Sequence, residues 1–191
     1  MPKLGMEPIR RAALVQATIA EIGAAGSLDV TVGQIAKRAG MSTALAHHYF
    51  GGKDQIFLAA MRHILREFGA EVIAGLRNTR TPRARAEALI AASFAPSCFA
   101  PETISAWMTL YARASTHPET RRLLELYQRR LRSNLTHALR PLSGDPRADA
   151  ETLGALIDGL YLRAALSEDG AIDVAKTTAL RALDILIGDA A

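Results

Sequence analysis

The sequence predicts an all-α protein of about nine helices, and three observations lead there. Aromatic residues make up only 5% of the 191 residues while Ala and Leu recur throughout, a composition that favours helices over sheets. Gly and Pro fall at intervals instead of clustering, as helix stops and starts do. Apolar residues step three or four positions apart between those breaks. With 49% hydrophobic and 22% charged residues, the chain can bury a sizeable core.

Taken in order, the first helix begins near Glu7-Pro8, since Pro is tolerated at the first helical position, and carries Val15, Thr18, Ile22 and Ala25 on one face. Gly26 stops it. Thr31-Val32-Gly33-Gln34 fits a capping box, and Val32, Ile35, Ala36 and Ala39 give the short second helix its apolar stripe. Gly40 follows as a left-handed terminator, and Ser42 caps a third helix from Thr43 to about Phe50. Two short helices joined by a Gly turn result. After Gly51-Gly52, Ile56, Phe57, Ala60, Met61, Ile64, Leu65, Phe68 and Val72 trace one long amphipathic helix. Thr81-Pro82 and Asp145-Pro146 each pair a capping side chain with Pro at the first helical position. Between them, Pro96 and Pro101 delimit a loop and His117-Pro118 ends a helix. Leu124, Leu131, Leu135 and Leu139 then run along another long one. The last two helices cover roughly 146–166 and 174–187. The domains expected are 1–54, a connecting helix 55–78, and a body 79–191.

Charge separates these parts. Residues 1–66 hold eight Lys or Arg against four Asp or Glu, whereas the remainder holds fifteen of each, so the whole net charge of +4 sits in the first third. A basic N-terminal module for polyanion and a neutral body with another task follow. A lone Cys98 cannot form an intrachain disulfide, and Met1-Pro2-Lys3-Leu4-Gly5-Met6 lacks the apolar core of a signal peptide, so a reducing cytoplasm is expected. The least charged stretch, Ala88 to Ala112, is interrupted by Pro96 and Pro101, and no membrane span is expected. No nucleophile-base constellation, phosphate-cradling Gly loop or metal-ligand spacing appears, so an enzyme is not expected. Adjacent His47 and His48 point about 100° apart on a helix and cannot readily chelate one ion.

Helix, tight Gly turn and short second helix is the helix-turn-helix arrangement, in which the second helix enters the major groove of duplex DNA. The segment from Ile35-Ala36-Lys37-Arg38-Ala39-Gly40 through His47-His48-Tyr49-Phe50-Gly51-Gly52-Lys53-Asp54 closely resembles the signature of TetR-family transcriptional regulators. With Pro8-Ile9-Arg10-Arg11, Arg130-Leu131-Arg132-Ser133-Asn134-Leu135 and Ile157-Asp158-Gly159-Leu160-Tyr161-Leu162-Arg163, it resembles that family's choline-responsive repressors of glycine betaine synthesis. The resemblance implies a TetR-like fold: a DNA-binding head and a helical body for ligand binding and dimerisation. Thr43, Ala44, His47 and His48 then fall where the family meets base edges or nearby phosphates. Tyr49 and Lys53 match phosphate-contacting positions. Thr31 joins the DNA-facing set; Lys3, Arg10 and Arg11 either add backbone or minor-groove contacts or form a solvated arm.

The resemblance also implies pairing through the last two helices, with Leu153, Leu156, Ile157 and Leu160 against Leu180, Leu183 and Ile187. Intramolecular packing of the same residues is the alternative. A homodimer on a palindromic operator has a functional reason, because one head reads only a short half-site. The implied effector is choline, with no further cofactor. A quaternary ammonium cannot donate a hydrogen bond and is best held by aromatic faces beside a carboxylate. Trp107 and Tyr111 share a helix face; Asp158 and Tyr161 lie one turn apart; Phe94, Phe99 and Glu102 surround the proline-delimited loop. Each aromatic is equally readable as core, and Asp158 as a partner of Arg163 or of a neighbouring helix across the dimer. Tyr stands at 111 and 161 where that subgroup commonly has Trp, a stronger cation-binding face. A different cationic or apolar effector is the alternative reading.

Overall fold

The computed structural model of the chain describes residues 5–167 and 171–188. Among the described residues there are nine α-helices and no strand: α1 (Met6–Ala25), α2 (Val32–Arg38), α3 (Thr43–Phe50), α4 (Lys53–Arg77), α5 (Pro82–Ser93), α6 (Pro101–Ala114), α7 (Pro118–Leu139), α8 (Pro146–Ala165) and α9 (Ile172–Ile187). The loop between Pro96 and Pro101 contains a 3-10 turn, Pro96–Phe99. No described helix is long and apolar enough to cross a membrane.

The expected punctuation is present as hydrogen bonds. Thr31 accepts from the Gln34 amide at 3.1 Å while its own amide donates to the Gln34 side chain at 2.7 Å, completing the capping box. Ser42 accepts from the Leu45 amide at 3.2 Å, Thr81 from Ala84 at 3.1 Å, and Asp145 from Ala148 at 3.1 Å. Each cap satisfies a backbone donor that the helix cannot, so Asp145→Ala is expected to cost about 1 kcal/mol. The check is a lower urea midpoint at unchanged slope. Gly26 and Gly40 end α1 and α2 with φ of +64° and +67°, where a Cβ would be strained. Helix α1 starts slightly earlier than the proline signal predicts, at Met6, because Pro8 still lies in the first turn, where its missing N–H is not needed.

By contact the chain forms two compact units, cut differently from the sequence-based boundaries at 54 and 78. The first is Met1–Arg66 with Ala100–Leu124; the second is Glu67–Phe99 with Glu125–Ala191. Helix α6 and the start of α7 thus belong with the helix-turn-helix. One cause is Gly23 on α1, where an added Cβ would stand 2.6 Å from the Glu102 Cβ and 2.8 Å from its Cα, so only glycine lets α6 come this close. The first unit buries Leu14, Ile22, Ile35, Phe57, Met61 and Leu110; the second buries Leu89, Ile90, Leu135 and Leu139.

In the second unit, α8 packs on α9, and the structure corrects part of the expected subunit interface. Leu153, Ile157 and Leu183 are 0%, 1% and 0% exposed within this one chain, so they hold its own helices together and offer nothing to a partner. Leu156, Leu160, Leu180 and Ile187 are half-buried, whereas Leu166, Val174 and Ile185 are exposed.

Candidate functional site

The reading head is built from small residues. Ala36 on α2 and Ala46 on α3 are both 0% exposed, which lets the two helices pack closely across the turn. The Met41 amide reaches back to the Ala36 carbonyl at 2.9 Å, closing that turn. With Ala46 turned inward, Thr43, Ala44, His47 and His48 are all exposed, and the four-residue pairs Thr43/His47 and Ala44/His48, with Ala44/His47 three apart, stand as neighbours on the helix surface. The His47 ring meets its own helix end: its Nδ1 lies 2.9 Å from the Gly51 carbonyl oxygen.

Around this face stand the positively charged and phenolic groups. Lys53 opens α4 and donates one Nζ hydrogen to the Leu28 carbonyl at 3.2 Å, which holds the ammonium between the α1–α2 loop and α4 and leaves two donors. Tyr49 is half-buried, with its ring 5.4 Å from that of His48. Arg11 lies over the rings of Tyr49 and Phe50, 5.5 and 5.1 Å from their centroids, and pairs with Glu7 at 2.9 Å. Arg11 is therefore not a solvated arm residue; it braces α1 against the end of α3. Arg10 is half-buried. The Thr31 hydroxyl is occupied in the capping box, also donating to the Gln34 side chain at 2.8 Å, and Lys3 lies outside the described residues. Sequence reasoning missed Arg62 and Arg66, exposed one turn apart on α4. With Arg11 they line a groove of about 550 Å³ whose walls include Val15, Tyr49 and Phe50. Its signal is a like-charge pair four residues apart, which helices ordinarily avoid.

The aromatic residues fall in both units. Trp107 and Tyr111 share a face of α6 in the first unit, with ring centroids 5.8 Å apart, and Glu102 packs there against Gly23. In the second unit, Phe94 stacks on Phe99 at 6.4 Å and Phe99 lies 5.1 Å from Tyr161, whose hydroxyl donates to the Cys98 carbonyl at 2.9 Å. Burial pushes the Cys98 thiol up to about 11, so it stays protonated. One turn before Tyr161, the half-buried Asp158 accepts a 2.9 Å hydrogen bond from Tyr127, whose ring meets Phe68 edge-on at 6.0 Å. Arg163 is not its hydrogen-bond partner. Burial raises the Asp158 carboxyl above the ordinary range, while hydrogen bonds from Tyr127 and Gln128 pull the other way. A partly desolvated carboxylate with two aromatic groups on its own helix turn and on α7 is chemistry suited to an organic cation.

Comparison with known proteins accords with this geometry. Residues 14–60 match the family described as bacterial regulatory proteins, tetR family, and residues 82–188 match the BetI-type transcriptional repressor C-terminal family. A relative from Brucella anthropi, the HTH-type transcriptional regulator BetI, is 57% identical over 171 residues, 88% of either chain. Among solved structures, a TetR transcription regulator from Haloarcula marismortui superposes with a TM-score of 0.85 at 22% identity, covering 94% of this chain and 98% of its own. A putative transcriptional regulator from Saccharomonospora viridis, in complex with choline, gives 0.76 at 21% identity over 92% and 95%. These families are regulators of transcription and not enzymes. The chain belongs to the TetR family of transcriptional regulators, as a DNA-binding repressor with a BetI-type C-terminal domain.

Proposed function

We propose that the chain represses genes for choline uptake and for choline conversion to glycine betaine, binding a palindromic operator as a homodimer and releasing it when choline occupies the body. The observation that carries the choline reading is Asp158, a half-buried carboxylate bonded to Tyr127 and one helical turn from Tyr161. Choline's quaternary ammonium offers no N–H, so at that end hydrogen-bond acceptors gain nothing by hydrogen bonding. A carboxylate and ring faces gain electrostatically. The BetI name of the relatives and the choline bound to the Saccharomonospora viridis neighbour support the same effector. The exposed Leu166, Val174 and Ile185, with half-buried Leu156, Leu160, Leu180 and Ile187, supply apolar surface on α8, just after its end, and on α9 for pairing.

Regulation needs a ligand that prefers one conformation, and coupling of about 1–3 kcal/mol is typical. The helix α4 carries both Lys53 and Phe68, so one continuous element joins the anchoring residue to the aromatic cluster. The test is titration of the protein onto a fragment from upstream of its own gene, against a scrambled fragment, with and without choline. Specific binding weakened by choline is expected. Specific binding that choline leaves unchanged would replace choline by another cationic or apolar effector. In the same assay, Lys53→Ala should weaken binding to both fragments and reduce the salt slope by about one contact, because phosphate contacts carry no sequence information.

A further inference from the structure

We infer that His47 reads the exocyclic amino group of an adenine or cytosine in the operator, and that Gly51 is the positioning residue that fixes it for this task. The inference rests on the reading of α3 as the helix that meets base edges. Gly51 ends α3 at φ +79°, a conformation that a residue with a Cβ adopts only with strain. That turn makes Gly51 grip His47 twice. Its amide donates to the His47 carbonyl at 2.7 Å, and its own carbonyl faces the His47 Nδ1 at 2.9 Å.

The second contact decides the chemistry of the ring. A carbonyl oxygen only accepts, so Nδ1 must carry the hydrogen. A neutral imidazole has one N–H, which leaves Nε2 of this exposed side chain as a bare acceptor. In the major groove the donors available to it are the N6 amine of adenine and the N4 amine of cytosine; guanine N7 and O6, adenine N7 and thymine O4 are all acceptors and repel it. Inverting a base pair moves its amine across the groove, so one acceptor at a fixed place distinguishes a pair from its inversion. Unlike the hydroxyl of a Ser or Tyr, which rotates to donate or accept, the clamped ring has one polarity.

Base analogues test this on the full-length protein and a duplex operator at about pH 8, above the range in which an imidazole ordinarily takes a second proton. Each adenine is replaced in turn by purine, each cytosine by 2-pyrimidinone, and each purine, in a separate series, by its 7-deaza form. One position in each half-site is expected where deleting the amine weakens binding about three- to tenfold, and where His47→Ala binds modified and unmodified DNA equally. Gly51→Ala should shrink the sensitivity at that same position. If instead the positions that depend on His47 respond to the 7-deaza bases, the ring is a donor and the inference fails. It also fails if His47→Ala weakens operator and scrambled DNA alike, which marks a phosphate contact, or if long-range nitrogen NMR of the free protein finds the hydrogen on Nε2. A wild-type protein that does not distinguish operator from scrambled DNA overturns the operator reading itself, and this inference with it.

Discussion

Asp158→Asn is expected to abolish the response to choline while operator binding in its absence is retained. Asn has the shape of Asp and keeps a carbonyl oxygen to accept the Tyr127 hydrogen bond, so the substitution removes the charge and little else. Losing a partly desolvated counter-charge should weaken choline binding by about 2–5 kcal/mol, beyond the reach of a millimolar titration. The wild-type pH profile follows from the same group. Burial holds the Asp158 carboxyl above its ordinary range, so it is the deprotonated form that the fold disfavours and that a cation rewards. Choline affinity should therefore fall as pH falls through that raised range, with proton release on binding inside it. The Asn variant should be flat there. Stability runs the opposite way: the native carboxyl binds its proton more tightly than the unfolded one. Its contribution is therefore unfavourable above the raised range and disappears below the unfolded value, and at neutral pH Asp158→Asn should not melt lower than wild type. Calorimetric titration across pH and thermal melts measure both. A choline response that survives in Asp158→Asn would remove this carboxylate from the effector site.

What the sequence disclosed and what it withheld divide by the range of the interactions. The Thr31–Gln34 box and the Ser42, Thr81 and Asp145 caps are bonds across three residues, and Gly40 and Gly26 act on their own backbone, so neighbours in the chain were enough to predict them. The Trp107–Tyr111 pair was legible for the same reason, as a one-turn spacing on α6. Tyr127 was not, because its bond to Asp158 joins residues 31 apart and depends on how α7 meets α8. Apolar periodicity shows that a helix has a buried face without saying what buries it. Leu153, Ile157 and Leu183 fit a partner or their own chain equally well, and their own chain covers them. Charge has the same ambiguity: the sequence leaves Arg11 as a phosphate contact or a solvated arm residue, and only the fold shows Glu7 and the rings of Tyr49 and Phe50 beside it.

The membership of α6 in the same unit as the reading head rests on Gly23, and Gly23→Ala should show how firmly. In a helix free of neighbours, replacing Gly by Ala adds about 0.5–1 kcal/mol of stability, because Ala loses less backbone freedom on folding. At Gly23 the new methyl would meet the Cα of Glu102 at 2.8 Å as well as its Cβ at 2.6 Å, and a backbone atom cannot step aside as a side-chain tip can. Overpacking of this kind costs about 1–3 kcal/mol, enough to reverse the sign and lower the melting temperature by several degrees. Gly69→Ala on α4 is the control, since nothing lies within 4 Å of its added Cβ, and that variant should melt higher than wild type. Opposite shifts in the two variants locate the effect in the α1–α6 contact and not in helix propensity. If Gly23→Ala is stabilising as Gly69→Ala is, α6 does not approach α1 as closely as this, and Gly23 is not what holds α6 with the head.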